Sequence, residues 1–392
     1  MPFLPRLRRL FSTALTVLIC VAIAACSTEI PNSTLNPNSQ FGRDTDRLFD
    51  WLLLGGAIVF TIVEVGVLFT IILFRRRGKG GKPRQVYGNA TLEITWTLIP
   101  AAVLAFIAVP TVRTIFKYRP ENVPADALQV QVIGHQWWWE FRYPELGVVT
   151  ANELVLPVGR TANFALTSKD VIHSFWIPSM AGKRDVIANR TNHIYFKPDS
   201  AYAWNGFCAE FCGTSHANMR FKVFTVSPAA FDAWVAHQKT GPRFRGGPDT
   251  SAATAGNIGA APLTLAAFTN GKRPAHIVPS TPTPKGLAIA NVTGDATRGA
   301  QLYKTGACIA CHVVQGVSPG IVGPNLTHFG SRTTLASGLY PNDPRHLALW
   351  IKNAPAMKPG SLMPALGKSS RMPAGYTDQQ VADIAAYLLA LK

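Results

Sequence analysis

The 392-residue sequence has little charge for its length, and few of its charges are negative. Charged residues make up 15% of the chain and hydrophobic residues 47%, whereas an average soluble protein carries about 25% charge. This balance excludes a mostly disordered protein and indicates membrane-spanning segments. The length predicts two or three structural units.

Acidic residues are scarce beside basic ones, with 21 Asp and Glu against 38 Lys and Arg and a net charge of +17. Such a charge would fit a nucleic-acid-binding protein if it were concentrated in one region. The excess is instead +2 over residues 1–39, +6 over 40–119, +4 over 241–289 and +5 over 290–392, with ten charges of each sign in 120–240. We therefore expect no nucleic-acid partner.

The N-terminus has the pattern of an export signal. Three arginines precede the apolar stretch Leu10–Ala25, which is the order typical of secretory signals. Two alanines followed by Cys26 resemble the cleavage site of a bacterial lipoprotein, where the cysteine carries the lipid. The alternative is an ordinary signal cut nearby, with Cys26 lost or without a role. We predict a signal over residues 1–25, an N-terminal segment over residues 26–49 and lipidation of Cys26.

Two apolar segments are long enough to cross a bilayer, which takes about 20 residues. They are Trp51–Phe74, with the single charge of Glu64, and Ile94–Phe116. Six basic residues between positions 75 and 84 predict that the intervening loop is cytoplasmic and that the rest of the chain lies outside. A two-helix hairpin is therefore predicted over residues 50–117. Glu64 should face protein or water, either in a proton path or as a neutral side chain bonded to a partner helix.

Four of the six cysteines form two close pairs after the hairpin. The first pair, Cys208 and Cys212, is followed by His216 and Met219, and His173 lies 35 residues before it. Thiolate, thioether and imidazole together suit copper. A zinc site would not need the methionine, and a disulfide would need none of the other three residues. Two cysteines separated by three residues can each bridge two copper ions, so we predict a dinuclear centre.

Short alternating runs surround these residues, at Leu128–Ile133, Thr161–Thr167 and His193–Lys197. Such runs, broken by glycine, proline and asparagine, indicate a β-sandwich or barrel. We predict a β-sandwich domain over residues 118–238. The aromatic run Gly134–Phe141 contains three tryptophans, which is typical of core packing, of an interfacial belt or of an electron route.

Taken in order, the signal, the hairpin, Gly-His-Gln-Trp, His-Ser-Phe and Cys-x-Glu-x-Cys-x-x-x-His-x-x-Met resemble subunit II of cytochrome c oxidase, over about residues 40–236. The resemblance implies a cupredoxin fold that carries the dinuclear CuA centre, with the two cysteines bridging two copper ions. The implied copper ligands are His173, Cys208, the carbonyl oxygen of Glu210, Cys212, His216 and Met219.

The same resemblance implies three further roles. The Glu210 side chain would bind a magnesium ion at the interface with subunit I. Trp137 would be the residue at which electrons enter the domain, and Glu93 would begin a proton path that serves subunit I. Family members that oxidise quinol lack the set of cysteine, histidine and methionine ligands, and this chain keeps all of it.

A composition rich in glycine, proline, alanine, serine and threonine predicts an extended linker over residues 239–289. Residues 290–392 then contain Cys308-Ile-Ala-Cys311-His312, the attachment signature of c-type haem. The two thiols bond the haem covalently, and His312 ligates the iron. The alternative is a thioredoxin-like redox motif, but that motif needs a βαβ pattern that is absent here.

A haem that transfers electrons takes a second axial ligand, often methionine. The candidates are Met357, Met363 and Met372, and we predict Met363 because its Gly- and Pro-containing loop can cross the haem face. The segment resembles an all-α class I cytochrome c, in which the methionine before a proline is the ligand. The resemblance also implies that the Pro324 carbonyl orients His312. A closing helix is predicted over 377–391.

A subunit II fused to a cytochrome c resembles the caa-type oxidases. Electrons would pass from an external donor through haem c and CuA to subunit I, which reduces oxygen and pumps protons, so no catalytic residue is expected in this chain. The expected partners are subunits I and III, cytochrome c or a membrane-bound reductase as donor, and lipid of the bacterial inner membrane, with both metal domains on the periplasmic side. The alternatives are a component of a nitric-oxide-type or nitrous-oxide reductase and a copper-binding lipoprotein.

Overall fold

The computed structural model describes residues 12–13, 16–17, 20, 32–75, 85, 87–242, 279–370 and 372–392. Cys26, five of the six basic residues of the predicted cytoplasmic loop and most of the predicted linker lie outside the described residues. Over the described ranges the chain forms a helical hairpin, a β-sandwich and a C-terminal helical domain. The predicted fold class is therefore confirmed, whereas the exact domain boundaries stay predictions.

The hairpin consists of α1 (Gln40–Leu73) and α2 (Ala90–Lys117). Both helices are long and apolar enough to cross a membrane. Helix α1 begins ten residues before the predicted hairpin, because Ser39 caps it by accepting a backbone N–H of the first turn. This extension contacts the β-sandwich, where Arg43 forms an ion pair with Asp199. The added turns therefore connect the membrane segment to the outer domain.

Two five-stranded sheets form the β-sandwich, in the strand orders β3-β2-β1-β5-β8 and β4-β10-β9-β6-β7. The pairs β1–β5 and β4–β10 are parallel, and the other pairs within these two sheets are antiparallel. The strands are β1 (Leu128–His135), β2 (Trp138–Tyr143), β3 (Val148–Ala151), β4 (Glu153–Pro157), β5 (Ala162–Ser168), β6 (His173–Trp176), β7 (Arg184–Val186), β8 (Asn192–Phe196), β9 (Tyr202–Cys208) and β10 (Arg220–Val226).

The alternation in the sequence is reproduced in the sheets. Side chains of β5 are alternately buried and partly exposed along its whole length, as a strand with one face on the core requires. The aromatic run includes the end of β1, the turn that follows it and the first residues of β2. Its members have different environments: Trp139 is fully buried in the core, Trp138 stacks on His135, and Trp137 is partly buried at the edge of the core. Core packing therefore accounts for one of the three tryptophans.

The C-terminal part is mainly helical. After α3, which closes the sandwich, the described residues form four α-helices and two short two-stranded sheets. These elements are α3 (Pro228–Gln238), α4 (Ala296–Thr305), α5 (Cys308–Cys311), β11 (Val313–Val314), β12 (Ser318–Pro319), β13 (Thr334–Leu335), β14 (Tyr340–Pro341), α6 (Pro344–Met357) and α7 (Asp378–Ala390).

Helices α4 and α7 cross at a glycine. A methyl group on Gly299 would lie 1.9 Å from the carbonyl oxygen of Asp383. The close approach of the two backbones therefore requires a residue without a side chain at this position. Arg298 donates two hydrogen bonds of 2.9 Å to the Asp383 carboxylate. The predicted closing helix is confirmed, with Thr377 as its N-cap in a capping box with Gln380.

Candidate metal centres and the contact between them

The two cysteines of the β-sandwich lie side by side. Cys208 ends β9 and Cys212 follows on the next loop, and their Sγ atoms are 3.7 Å apart. A disulfide requires a separation of about 2.05 Å, so the two thiols are not bonded to each other. Cys208 is 8% exposed and Cys212 3% exposed. The structure therefore brings both sulfurs into one buried site.

Each sulfur has one imidazole beside it. His173 Nδ1 lies 3.9 Å from Cys208 Sγ, and His216 Nδ1 lies 3.7 Å from Cys212 Sγ. Ligand atoms of His173 and the two cysteines all lie within 4.8 Å of one another. Soft sulfur and imidazole donors at these separations could be drawn together around a pair of small cations, which is the donor chemistry that copper prefers.

A weaker donor accompanies each sulfur as well. The Glu210 carbonyl oxygen lies 3.2 Å from Cys208 Sγ, and Met219 Sδ lies 3.9 Å from Cys212 Sγ. The set thus divides into two similar halves about the cysteine pair, each with one imidazole and one weak donor. A single zinc ion has no use for a thioether, so this donor set fits two copper ions better than it fits zinc.

Each thiol shifts the pKa of the other. The hydrogen bond from Cys212 lowers the pKa of Cys208 to about 3, whereas the same contact and burial raise the pKa of Cys212 far above its usual value. Positive charge beside the pair favours the thiolate form of both sulfurs, since metal binding releases protons from its ligands. This behaviour suits a pair of bridging ligands.

His173 is held in place by two residues that we did not predict. Its Nε2 lies 2.8 Å from the Asp170 carboxylate, which leaves Nδ1 facing the sulfur of Cys208. Burial would lower the pKa of His173, but the contacts with Asp170 and Cys208 more than offset this and raise it. Gly134 lies against the ring, where a methyl group would be 2.7 Å from His173 Cδ2. In the sequence, the carboxylate three residues before the histidine was the only feature that could have indicated this hydrogen bond.

The C-terminal domain presents the expected haem ligands on and beside α5. Cys308 and Cys311 are its first and last residues, and His312 follows at once. His312 Nδ1 lies 2.9 Å from the Pro324 carbonyl oxygen, so this nitrogen donates and Nε2 remains for a ligand. Burial lowers the pKa of His312, which favours the neutral imidazole that binds iron. Gly323 lies against the ring, where a methyl group would be 2.6 Å from Cε1.

The three candidate methionines have different environments. Met363 is partly buried and packs against the hydrophobic core of the C-terminal domain. Met357 is buried within that core, where its carbonyl oxygen accepts a hydrogen bond from the Tyr340 hydroxyl, and Met372 is 37% exposed. These positions agree with packing for Met357 and surface exposure for Met372. The role of Met363 as axial ligand stays a prediction.

Trp137 lies where the two domains meet. Its Nε1–H donates to the Cys212 carbonyl oxygen at 2.9 Å, and Gln136 Nε2 donates to the same oxygen at 2.8 Å. On the C-terminal domain, a methyl group on Gly360 would lie 2.8 Å from ring atoms of Trp137. Gly360 has a left-handed φ of +81° and lies three residues before Met363. The indole therefore contacts both the loop that carries Cys212 and the loop that carries Met363.

The remaining predicted residues have simpler surroundings. Glu93 lies in the first turn of α2, and its carboxylate accepts a hydrogen bond of 3.2 Å from the backbone N–H of Asn89. The Glu210 side chain is exposed on the loop between the two cysteines. Glu64 is exposed midway along α1. These placements leave the proposed proton and magnesium roles as predictions.

Three family models match the chain. The transmembrane domain of cytochrome c oxidase subunit II matches residues 35–114, its periplasmic domain matches residues 147–226, and cytochrome c matches residues 296–392. Each match overlaps one of the three structural parts described above, and the periplasmic match begins after β2.

Curated relatives match the chain over most of its length. Cytochrome c oxidase subunit 2 of Alkalihalophilus pseudofirmus is 31% identical over 379 residues, which is 94% of each chain. The Bacillus subtilis protein of the same name is 31% identical and covers 84% of this chain and 85% of its own. Among solved structures, the periplasmic domain of subunit II of cytochrome oxidase from Bradyrhizobium japonicum is 31% identical, covers 30% of this chain and 96% of its own, and has a TM-score of 0.29.

Proposed function

Because the chain belongs to the cytochrome c oxidase subunit II family, we propose that it is the electron-accepting subunit of a caa-type oxidase. In this role the C-terminal domain takes electrons from an external donor and passes them to the β-sandwich domain. From there they continue to subunit I, which reduces oxygen to water and pumps protons. When bound, one haem c and two copper ions supply the one-electron carriers.

The observation that carries the proposal is the position of Trp137. Its indole N–H contacts the Cys212 carbonyl, and its ring lies against Gly360 of the C-terminal domain. Trp137 therefore lies between the C-terminal domain and the proposed copper loop, to which it is hydrogen-bonded at the Cys212 carbonyl. The arrangement supports Trp137 as the residue at which electrons enter the sandwich.

Neighbouring side chains hold the residues that would bind the copper ions. Asp170 accepts from His173 and so holds the ring with Nδ1 toward Cys208. Carboxylates in this position fix a ligand's tautomer and orientation. Cys208 and Cys212 would bridge the ions, with His216, Met219 and the Glu210 carbonyl completing the set.

The haem would be held by the C-terminal domain alone. Cys308 and Cys311 would bond it covalently, and His312, oriented by Pro324, would ligate the iron on one side. Met363 would ligate it on the other side. Burial of Cys308 raises the pKa of its thiol to about 11.

The finer assignments rest on the family resemblance. Glu93 would begin a proton path into subunit I, and the exposed Glu210 carboxylate would bind magnesium at the interface with that subunit. Subunits I and III are the expected partners, with cytochrome c or a membrane-bound reductase as donor. The chain would lie in the bacterial inner membrane, with Cys26 lipidated and both metal domains in the periplasm.

Metal and haem analysis of the purified oxidase tests the proposal. We expect two coppers and one covalent haem c per chain. Cys208→Ser should remove copper and oxygen consumption while leaving the haem, and Met363→Ala should change the haem spectrum while leaving copper. Copper that a chelator removes within seconds would instead support a copper-delivery lipoprotein, and turnover of nitric oxide rather than oxygen would support a reductase.

A further inference from the structure

The C-terminal domain contacts the β-sandwich through buried polar groups around Trp137. Lys358 Nζ lies 2.5 Å from the Trp137 carbonyl oxygen and 2.8 Å from Ser337 Oγ, and Ser337 Oγ donates to the same carbonyl at 2.9 Å. Ser215, from the loop that carries the copper ligands, donates to the Pro359 carbonyl at 2.5 Å. Lys358 is 4% exposed, so its amine is shielded from water, and this burial lowers its pKa to about 7.

A second set of contacts surrounds Glu153, at the start of strand β4. One of its carboxylate oxygens accepts hydrogen bonds from the Thr333 N–H at 2.7 Å, the Thr333 hydroxyl at 2.5 Å and the Thr334 N–H at 3.2 Å. Burial raises the pKa of Glu153, and the hydrogen bonds from Thr333 and the positive charge of Arg332 offset this only in part. Glu153 is 6% exposed. It is therefore a carboxylate of one domain whose hydrogen-bond donors belong to the other.

A small cavity adjoins the second set. Its volume is about 30 Å³, and it is lined by Glu153, Arg332 and His237 among other residues. A cavity of this size has room for one or two water molecules. Water, rather than a cofactor or a peptide, can fill such a cavity between the two domains.

Buried ionisable groups at such a contact set its geometry more than its strength. Removing an ammonium or a carboxylate from water is costly, and such groups serve best to fix register. They are also screened by salt much less than exposed pairs. The sandwich has no net charge with which to attract the C-terminal domain, since residues 120–240 carry ten charges of each sign.

We propose that Lys358 and Glu153 are positioning residues, which fix the C-terminal domain on the β-sandwich in one register with Gly360 against the Trp137 indole. The inference rests on the proposed function, since it concerns electron transfer between the two domains. Electron transfer from haem c to copper is then insensitive to ionic strength. Transfer from a soluble donor to the basic C-terminal domain is salt-dependent, because that contact is made by exposed charges.

A salt series on the metal-loaded wild-type oxidase tests the proposal directly. Haem c is reduced rapidly by a photochemical reductant, and its reoxidation by the copper pair is followed optically. The Debye length shortens from about 30 Å at 0.01 M salt to about 3 Å at 1 M. We expect the internal rate to change by less than about twofold over this range. A fall of about tenfold or more would overturn the proposal.

Charge reversal on each side of the contact gives an independent test. Lys358→Glu places a carboxylate against the Trp137 carbonyl, and Glu153→Arg places a second guanidinium near Arg332. Each reversal removes a hydrogen bond worth about tenfold or more in an equilibrium and puts repulsion in its place. The docked register should therefore be lost, and internal transfer should slow by about tenfold or more. The matched controls Lys368→Glu and Glu145→Arg change exposed residues and should stay within about twofold of wild type.

A purely structural defect would appear in other measurements. Copper and haem content, and the rate at which the photochemical reductant reduces haem c, should be unchanged in both variants. Internal rates within twofold of the controls, with both cofactors present, would refute the inference. If one variant loses its cofactor, the variant on the other domain and the wild-type salt series still test the proposal. Absence of copper or haem from the wild type would refute the proposed function itself.

Discussion

Replacing Gly134 with alanine should disturb the proposed copper site, because the added methyl group would press on the ring of His173. Gly134 lies on β1, opposite Trp139 in the hairpin that β1 forms with β2. A methyl group at this position would lie 2.7 Å from Cδ2, 3.1 Å from Cγ and 3.5 Å from Cβ of His173. His173 has no exposed surface, and its other side is held by Asp170. The ring therefore has to move as a whole.

The required shift can be compared with what a metal site tolerates. Carbon atoms in contact lie about 3.5–4.0 Å apart, so the ring must retreat by about 0.8 Å or the strand must bend by a similar amount. Metal–ligand distances are held within about 0.2 Å. The displacement is about four times that tolerance, and overpacking of this kind costs about 1–3 kcal/mol. We expect an altered mixed-valence copper signal, weaker copper binding and slower oxygen consumption.

The assay uses the haem of the same chain as its internal standard. Copper per haem and the electron paramagnetic resonance spectrum are measured on purified oxidase. Gly182→Ala is the matched control, because a methyl group there would meet only Phe41 at an ordinary 3.6 Å. A Gly134→Ala oxidase with the wild-type copper spectrum and copper-to-haem ratio would refute the placement of His173 beside this strand.

Three further perturbations test other contacts. Gly299→Ala should destabilise the C-terminal domain by about 1–3 kcal/mol, because its methyl would lie 1.9 Å from the Asp383 carbonyl; an unchanged thermal midpoint, with Gly241→Ala as control, would contradict this crossing. Asp170→Asn should weaken copper binding by about 10–100-fold in a chelator competition, and unchanged affinity would refute its orienting role. Burial raises the pKa of Asp383, but hydrogen bonds led by that from Arg298 more than offset this and lower it. The stabilisation is therefore present above the ordinary aspartate pKa and is lost as pH falls through the lower folded value. Asp383→Asn should make the free energy of unfolding less dependent on pH in this acidic range. An unchanged pH dependence would exclude this contribution.

The sequence was sufficient for the parts of the molecule that depend on local chemistry. Cys208, Cys212, His216 and Met219 lie within twelve residues of one another, so one loop brings them together whatever the rest of the chain does. The strand over Ala162–Ser168 is likewise set by an alternation that is visible without any partner. Short-range spacing and periodicity carry such features, and the structure reproduces both.

Contacts between distant segments could not be predicted in the same way. Glu153 and Thr333 are 180 residues apart, and no local pattern marks either of them as a contact residue. Gly134 matters only because β1 brings it against His173, which is a result of sheet packing. Helix α1 begins at Gln40 rather than at the apolar run, because its polar first turns gain contacts with the sandwich. Tertiary packing decides these features.

The charge pattern and the contact between the domains have a common explanation. A linker over residues 239–289 would hold the C-terminal domain near the sandwich at an effective concentration on the order of millimolar. Surface charge is then unnecessary for the two domains to meet, which agrees with the balanced charge of residues 120–240. The excess of +5 over residues 290–392 remains available to an external donor with an acidic or membrane-bound docking face. Oxidase turnover with the natural donor should therefore depend on ionic strength and on the exposed lysines of the C-terminal domain, whereas transfer within the chain should not.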